Sequence, residues 1–335
     1  MYGDCNRTNM TVGKYRILEL LGQGGFASVY KVEDEHLHKE YAMKIMEGCS
    51  AAKEEAMRLN ELQHPGLPLL HDMFELENTT YLVMELSHGV NLKNYVKKHG
   101  KLSVEETIKI GLQISEILKY LHRQSVPVIH GDIKPENIMV GPDKIQLIDF
   151  GGSYLMYSRR EIFYGTPGYA AEELSRGEVL PQSDIYSFGK VLLYMLTGRE
   201  GVLIGGQINV AELKRYGIPK NLRKVIVRCL EKEPYMRYQS GAELMEALHK
   251  LRRINRQIPG QGVAALATIC RFIGTAGILY VLYGINAGGN FPSRDIFVLS
   301  SLILILSCVI GRCAVSIYHE AILECECSMF VTEGL

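Results

Sequence analysis

The segment that most constrains the fold of this chain is HGDIKPEN at 130–137, followed by Asp-Phe-Gly at 149–151. An acid, a lysine two residues later and an amide three residues further on can act together only if one rigid loop holds them. A second acid arrives after the strand-like run 144–148. The pattern Asp-x-Lys-x-x-Asn alone carries little information, but an Asp-Phe-Gly at this distance makes chance a poor explanation. The two motifs therefore indicate one assembled site.

The residue types in these motifs are those of a phosphoryl-transfer site. We expect Asp132 to take the proton of an attacking hydroxyl and Lys134 to steady the transferring phosphoryl group. We expect Asn137 and Asp149 to hold magnesium, with manganese as an alternative. ATP is the expected phosphoryl donor.

A glycine-rich turn lies near the start of the chain, at 22–27, between the predicted strands 15–21 and 28–33. Glycine lets a backbone approach a ligand closely, and backbone amides can bond phosphate oxygens. Such a turn is weak evidence alone, but the alternating strand 40–46 follows it and carries a lysine. The residues expected to contact the ATP phosphates are therefore Gly22, Gly24, Gly25 and Lys44.

A helix is predicted from about 51 to 63, where His64-Pro65 must end it. It offers Glu54 and Glu55, and we expect Glu55 to orient Lys44. The strand 80–86 then leads into the second half of the domain. There Met84 should border the adenine pocket, the backbone of Glu85 and Leu86 should bond the base, and Val29, Ala42 and Met139 should enclose it. For the apolar members a plain core role is equally compatible.

The helix predicted over 103–124 leads directly into the 130–137 loop. Its apolar residues have helical spacing, with Ser103 as N-cap and Glu106 completing a capping box. A second, mostly apolar helix is predicted at 183–198. Asp184 lies near its start, and a buried acid is expensive unless it is hydrogen-bonded. We expect it to brace the backbone of the 130–137 loop.

The run GTPGYAAEE at 165–173, here called the docking segment, separates Asp-Phe-Gly from the second helix. It contains Thr166 and ends at Glu173. Arg237 is a candidate partner for Glu173, and an unpaired surface arginine is the alternative.

With these motifs in order, residues from about 11 to 255 resemble a eukaryotic-like (Hanks-type) Ser/Thr protein kinase, closest to bacterial membrane-anchored members. The resemblance implies an α+β bilobal protein-kinase fold, with a small β-rich N-terminal lobe, a helical C-terminal lobe, and ATP and magnesium in the cleft. Lys134 and Thr166 resemble the Ser/Thr rather than the tyrosine class. Protein serines and threonines are therefore the expected substrates, and signalling is the expected role.

The chain departs from the family pattern in the loop motif itself. The usual His-Arg-Asp is His130-Gly131-Asp132 here, so the arginine that would answer a phosphate on Ser153 or Ser158 is missing. We therefore expect activity that does not depend on phosphorylation of this region. Ala27 replaces the third loop glycine, and the Ala-Pro-Glu triplet keeps only its terminal acid, Glu173.

Composition shifts near residue 258, after which two strongly apolar runs occupy about 263–285 and 296–317. Each can reach about 20 residues, enough to cross roughly 30 Å of hydrocarbon. Two transmembrane helices joined by a short external loop at 286–295 are the preferred interpretation. A buried helical hairpin packed on the preceding domain is the alternative.

The segment KLRRINR at 250–256 carries four positive charges and no acid, as expected on the cytosolic side. Arg271 and Arg312 would lie near that same boundary. We expect a multi-pass protein of the cell membrane with the kinase domain and both termini cytoplasmic. Its parts would be a tail at 1–10, the kinase domain at 11–255, the spans within 256–318 and a tail at 319–335.

The 335 residues carry no net charge at neutral pH, so nothing suggests nucleic-acid binding. Eight scattered cysteines favour reduced thiols over a disulfide framework. Cys325 and Cys327 are a weak candidate metal pair. The lipid membrane is an expected partner, and a second copy of the chain, as a homodimer, is a candidate one. The competing functions are a catalytically weak pseudokinase that serves as an ATP-binding scaffold, and a kinase-fold enzyme that acts on a small molecule.

Overall fold

A six-stranded antiparallel sheet forms the N-terminal lobe of the computed structural model, which describes residues 8–24, 27–47, 50–156, 165–200 and 210–253. Its strands pair in the order β1-β2-β3-β4-β6-β5, and each pair is antiparallel. The strands are β1 (Thr11–Val12), β2 (Tyr15–Gln23), β3 (Ser28–Asp34), β4 (Lys39–Glu47), β5 (Leu70–Leu76) and β6 (Thr79–Glu85). The central strands β4 and β6 are buried on both faces, whereas β3 alternates between buried and half-buried positions.

One helix, α1 (Ser50–Glu61), crosses this lobe between β4 and β5. It ends two residues before the predicted limit and still before His64-Pro65. Ala56 and Leu59 are buried at 2% and 1% exposure. These apolar residues hold α1 against the sheet side of the lobe and bring Glu55, which is also buried, to the inside.

The C-terminal lobe is mainly helical and is built around α3 and α5. Ile114 and Leu118 of α3 and Phe188 of α5 are fully buried in one apolar core. The helices are α2 (Leu92–His99), α3 (Val104–His122), α4 (Glu172–Ser175), α5 (Pro181–Thr197), α6 (Val210–Arg215), α7 (Lys220–Cys229) and α8 (241–253). Short strands β7 (Val90–Asn91), β8 (Val128–Ile129), β9 (Ile138–Val140), β10 (Ile145–Leu147) and β11 (Tyr154–Leu155) complete the lobe, with 3-10 turns at Pro135–Asn137, Phe150–Gly152 and Pro234–Met236.

The start of α3 confirms one half of the predicted capping box. The Ser103 hydroxyl accepts a hydrogen bond from the Glu106 amide at 3.1 Å. The Glu106 carboxylate instead accepts a bond from the Tyr95 hydroxyl at 2.6 Å. The second bond of a capping box, from the Ser103 amide to the Glu106 carboxylate, is therefore replaced by a contact with the neighbouring helix α2.

The predicted bilobal arrangement is confirmed: a β-rich lobe comes first and a helical lobe follows, within a unit that extends to Arg252. The predicted transmembrane segments at 263–285 and 296–317 lie outside the described residues. Among the residues that the structure describes, no helix is both long enough and apolar enough to span a bilayer.

Candidate active site

A buried ion cluster joins β4, α1 and the Asp-Phe-Gly motif. Lys44 Nζ lies 2.8 Å from both carboxylate oxygens of Glu55 and 2.7 Å from Asp149 Oδ1. The side chain of Lys44 is 8% exposed and that of Glu55 is 1% exposed. Alternation along β4 places Lys44 on the same face as Ala42 and Met46, which pack with Ala56 of α1. The choice of Glu55 over Glu54 is thus supported by geometry, since Glu54 is half exposed.

Burial and the neighbouring charges act in opposite directions on the groups of this cluster. Burial alone would lower the pKa of Lys44, but the neighbouring carboxylates of Glu55 and Asp149 prevail and raise it. Burial raises the pKa of Glu55, against the attraction of Lys44. The two carboxylates therefore favour the charged form of the Lys44 ammonium group and hold it beside an acid of the second lobe.

The Asp-Phe-Gly motif folds sharply at Asp149, whose backbone is left-handed at φ 68°. The short polar side chains of Asp and Asn tolerate this conformation better than most. Phe150 is fully buried in the core of the C-terminal lobe, and the His130 ring meets it edge-on at 4.8 Å between centroids. His130 also lies 3.2 Å from the carbonyl oxygen of Ile148 through Nε2. The two motifs recognised in the sequence are thus packed against each other.

Four polar side chains converge at the 130–137 loop. Lys134 Nζ donates to Asp132 Oδ2 at 2.7 Å and to the Thr166 hydroxyl at 2.8 Å. The Thr166 hydroxyl donates to Asp132 Oδ1 at 2.6 Å. Asn137 Nδ2 donates to the Asp132 carbonyl at 2.9 Å and to Oδ2 at 3.1 Å. The loop and the docking segment are therefore joined at the carboxylate of Asp132.

Asp184 braces this loop as predicted, and the structure adds one residue that the sequence analysis missed. Asp184 is fully buried and accepts bonds from the amides of His130 and Gly131, both at 2.9 Å. His122 Nε2 also lies 3.1 Å from Asp184 Oδ2, and its Nδ1 accepts a bond from the Gly241 amide at 3.3 Å. His122 lies in the last turn of the helix that leads into the loop, and this position is the sequence feature that could have identified it as a partner of Asp184.

Gly131 lies where the family pattern has arginine, and its surroundings explain the glycine. Its φ is +75°, and a Cβ built on it would lie 2.8 Å from both the Gly152 carbonyl oxygen and the Tyr154 ring. Tyr154 is buried, at 2% exposure. Ser153 is fully buried and donates its hydroxyl to the Phe150 carbonyl at 2.6 Å, so it is not an accessible phosphorylation site. Ser158 lies outside the described residues.

Gly131→Ala should therefore destabilise the domain more than backbone strain alone requires. A left-handed alanine costs roughly 1–2 kcal/mol, and overpacking against Gly152 and Tyr154 adds about 1–3 kcal/mol. Gly217→Ala is the matched control, since Gly217 has φ +76° and open space around it. Urea unfolding of both variants measures the difference. Equal losses of unfolding free energy would show that the neighbours of Gly131 yield freely.

The apolar residues expected around the adenine share one small core cluster. Ala42 and Met84 are buried in it, with Val29 and Leu86 packed against it. The Glu85 amide donates to the Leu69 carbonyl at 2.8 Å, so the predicted bonds to the base would use the Glu85 carbonyl and the Leu86 backbone. Met139 lies half-buried on β9 and pairs with Asn91 in the sheet register. Contact of these residues with ATP stays a prediction.

The glycine-rich turn is a hairpin between β2 and β3. Gly22 belongs to β2, and the Gly24 amide donates to the Ala27 carbonyl at 2.8 Å. A Cβ built on Gly22 would meet nothing within 4 Å, so the turn is open on that side. Gly25 lies outside the described residues. The open side is what close approach of a phosphate chain requires.

The residues expected to hold magnesium supply oxygen donors of the right kind. The amide nitrogen of Asn137 is used within the loop, which leaves its amide oxygen free of those bonds, and Asp149 supplies a carboxylate. Mg²⁺ is usually held by one or two carboxylates together with substrate phosphates. In the described ranges no group of three or more His, Cys, Asp or Glu forms a self-sufficient metal cage. The donor set therefore fits magnesium bound jointly with a nucleotide.

Glu173 and Arg237 form the predicted buried ion pair. Arg237 Nη1 and Nη2 donate to the Glu173 carboxylate at 2.5 and 3.1 Å, and the two side chains are 1% and 0% exposed. The Ser183 hydroxyl adds a bond to Glu173 at 2.8 Å. This pair attaches the end of the docking segment to α5 and to the turn before α8.

Comparison with known proteins agrees with this geometry. A family model described as protein kinase domain matches residues 15–251. The chain is 32% identical over 260 residues to the serine/threonine-protein kinase PrkC of Bacillus subtilis, covering 70% of this chain and 40% of that protein. It is 30% identical over 289 residues to PknA of Mycobacterium tuberculosis, covering 77% and 67% respectively. The chain thus spans about two fifths of the length of one of these relatives and two thirds of the other.

Proposed function

We propose that this chain, which belongs to the protein kinase family, transfers the γ-phosphoryl group of ATP to serine and threonine hydroxyls of proteins. The observation that carries the proposal is the simultaneous presence of the Lys44–Glu55–Asp149 cluster and the Asp132–Lys134–Thr166 network. Each cluster joins elements far apart in the sequence. Both kinds of contact must be in place before phosphoryl transfer can be catalysed by positioning and electrostatics.

Each residue has a part that follows from its place. Lys44, oriented by Glu55, would bind phosphate oxygens of ATP from the N-terminal lobe. Asp132 would accept the proton of the attacking hydroxyl, for which its carboxylate is held by Asn137 and Lys134. Lys134 places a positive charge beside Asp132 and would stabilise the negative charge on the transferring phosphoryl group. Magnesium, held through Asn137 and Asp149, would neutralise phosphate charge when bound.

Phosphate transfer from radiolabelled ATP to a generic protein substrate tests this proposal. Asp132→Asn preserves the shape of the side chain but removes the proton acceptor, and we expect turnover to fall by about 10²–10⁴-fold. Acid hydrolysis of the product should yield phosphoserine and phosphothreonine. Equal and negligible transfer by the wild type and the variant would favour a pseudokinase scaffold. Transfer only to a small molecule would favour a kinase-fold enzyme that acts on small molecules.

The same proposal includes attachment to the cell membrane through the apolar runs at 263–285 and 296–317. Their length and the absence of charge over most of the second run support two spans. The basic segment at 250–256 supports a cytoplasmic kinase domain, where ATP is available. With only about 286–295 outside, a signal would reach the kinase through the bilayer, a partner span or the cytosol.

Cysteine labelling in intact cells should distinguish this hairpin from a single crossing. In the hairpin, Gly289→Cys faces outward and reacts with an impermeant maleimide, whereas Glu333→Cys is cytoplasmic and reacts only after the cells are opened. The parent protein, with its native cysteines, sets the background. Labelling of Glu333→Cys in intact cells would overturn the hairpin in favour of one crossing.

A further inference from the structure

A groove of about 460 Å³ lies between α3 and α8, and none of its side chains belongs to the site described above. Its two walls have the same spacing, i, i+4 and i+7, which puts each set on one helix face. The wall from α3 carries Lys109, Gln113 and Glu116, and the wall from α8 carries Met245, His249 and Arg252.

The two helices run in opposite directions, which decides where the charges meet. The Gly241 amide at the start of α8 bonds His122 at the end of α3. Further along, a Cβ built on Gly111 of α3 would lie 3.4 Å from Leu248 of α8. Lys109 and Arg252 therefore share one end of the groove. Glu116 lies about two helical turns, roughly 10 Å, toward the other end.

The charges are accordingly segregated along the groove. Lys109, His249 and Arg252 are all exposed, and neither Lys109 nor Arg252 forms an ion pair with any described residue. Lys250, by contrast, is paired with Glu246 at 2.9 Å. Leu112 also lines the groove but is buried, at 8% exposure. Two exposed cations without an ion-pair partner among the described residues suit an anionic group, and their place at the end of the domain that leads to the first predicted span favours a lipid headgroup.

We propose that the Lys109–Arg252 end of this groove binds the phosphate of anionic phospholipids at the membrane surface and holds the kinase domain against the bilayer. The proposal rests on the membrane attachment proposed above. Helix α8 extends to residue 253, and the first predicted span starts at about 263. The nine intervening residues can reach at most about 30 Å. Basic side chains this close to an anionic leaflet are attracted to it.

The test uses the full-length protein in lipid nanodiscs of phosphatidylcholine, with or without phosphatidylglycerol. Co-elution of the protein with both disc types reports membrane attachment alone. Two further measurements report docking: acylation of the Lys109 amine and hydrogen exchange of the backbone amides at 245–253. We expect both to slow in phosphatidylglycerol discs, because each basic group near an anionic surface strengthens association about fivefold. High salt should reverse the difference.

Lys109→Glu combined with Arg252→Glu should abolish the lipid dependence of hydrogen exchange at 245–253. The matched control is Lys97→Glu combined with Lys98→Glu, the same charge change at exposed positions of α2, which should retain it. Thermal unfolding of both variants checks that each is folded.

Each remaining outcome overturns a separate part of the proposal. Stable insertion in both disc types with identical exchange and acylation would overturn the docking and leave the attachment standing. Failure to enter either disc would overturn the attachment, and the docking with it. Equal protection by soluble glycerol phosphate in phosphatidylcholine discs would show a site for free phosphate esters rather than for the membrane.

Discussion

Lys44→Met should lower kcat/KM for ATP-dependent phosphoryl transfer by about 10²–10³-fold while the domain stays folded. The ammonium group touches both Glu55 and Asp149, so its removal leaves two carboxylates facing each other without a cation. Burial already raises the pKa of Glu55, and loss of the Lys44 charge would raise it further. Methionine replaces most of the buried aliphatic stem, so little packing is lost. Steady-state kinetics with ATP and a protein substrate measures the effect.

Lys53→Met is the matched control for this loss. Lys53 lies on α1, is 56% exposed and pairs at 3.0 Å with Glu75 on the surface. Its removal should change turnover by less than about twofold, because exposed ion pairs contribute under about 1 kcal/mol. Wild-type turnover in purified Lys44→Met would remove the assignment of this cluster as the nucleotide-binding site.

Arg237→Ala should cost about 3–5 kcal/mol of unfolding free energy, because it strands a buried carboxylate at Glu173. For a domain of this size that corresponds to a fall in melting temperature of roughly 10 °C. The arginine is engaged on every side. Besides Glu173, it donates to the carbonyls of Gln182, Glu231 and Lys232 and lies 4.9 Å from the Tyr186 ring.

The control for this variant is Arg176→Ala, since Arg176 and Glu178 form an ion pair at 3.4 Å in which both side chains are about half exposed. Its loss should cost less than about 1 kcal/mol. Glu173→Ala combined with Arg237→Ala should cost less than the two single changes added together, as expected for groups in direct contact. An unchanged melting temperature of Arg237→Ala would mean that the pair does not contribute to stability.

Local patterns predicted those parts of the site that depend on neighbouring residues. The alternating strand at 40–46, placed just after the glycine-rich turn, marked Lys44, and the stop at His64-Pro65 favoured Glu55 as its partner. Asp184 could be assigned a bracing role because a buried acid near the start of an apolar helix must find donors. In each of these cases a short-range rule, such as motif spacing or hydrogen-bond satisfaction, favoured one answer over its alternatives.

Contacts between distant segments were beyond such rules. The Glu106 carboxylate bonds Tyr95 of α2 rather than closing its own box, and the Glu85 amide is taken by Leu69. His122 bonds both Asp184 and Gly241, which are brought together only when α5 and α8 pack on α3. The hydrogen-bond partner of a side chain that faces another segment depends on how the helices and strands pack.

The sequence by itself determined the family, the order of the lobes and the set of chemical groups, because each motif is a local pattern of residue types. Only the tertiary structure decided why Gly131 stands in the loop, since the crowding by Gly152 and Tyr154 exists only after β8 and β11 pair. It also decided that Lys109 and Arg252 share one end of a groove. Two helices that are distant in sequence acquire a common surface only through the direction in which they pack.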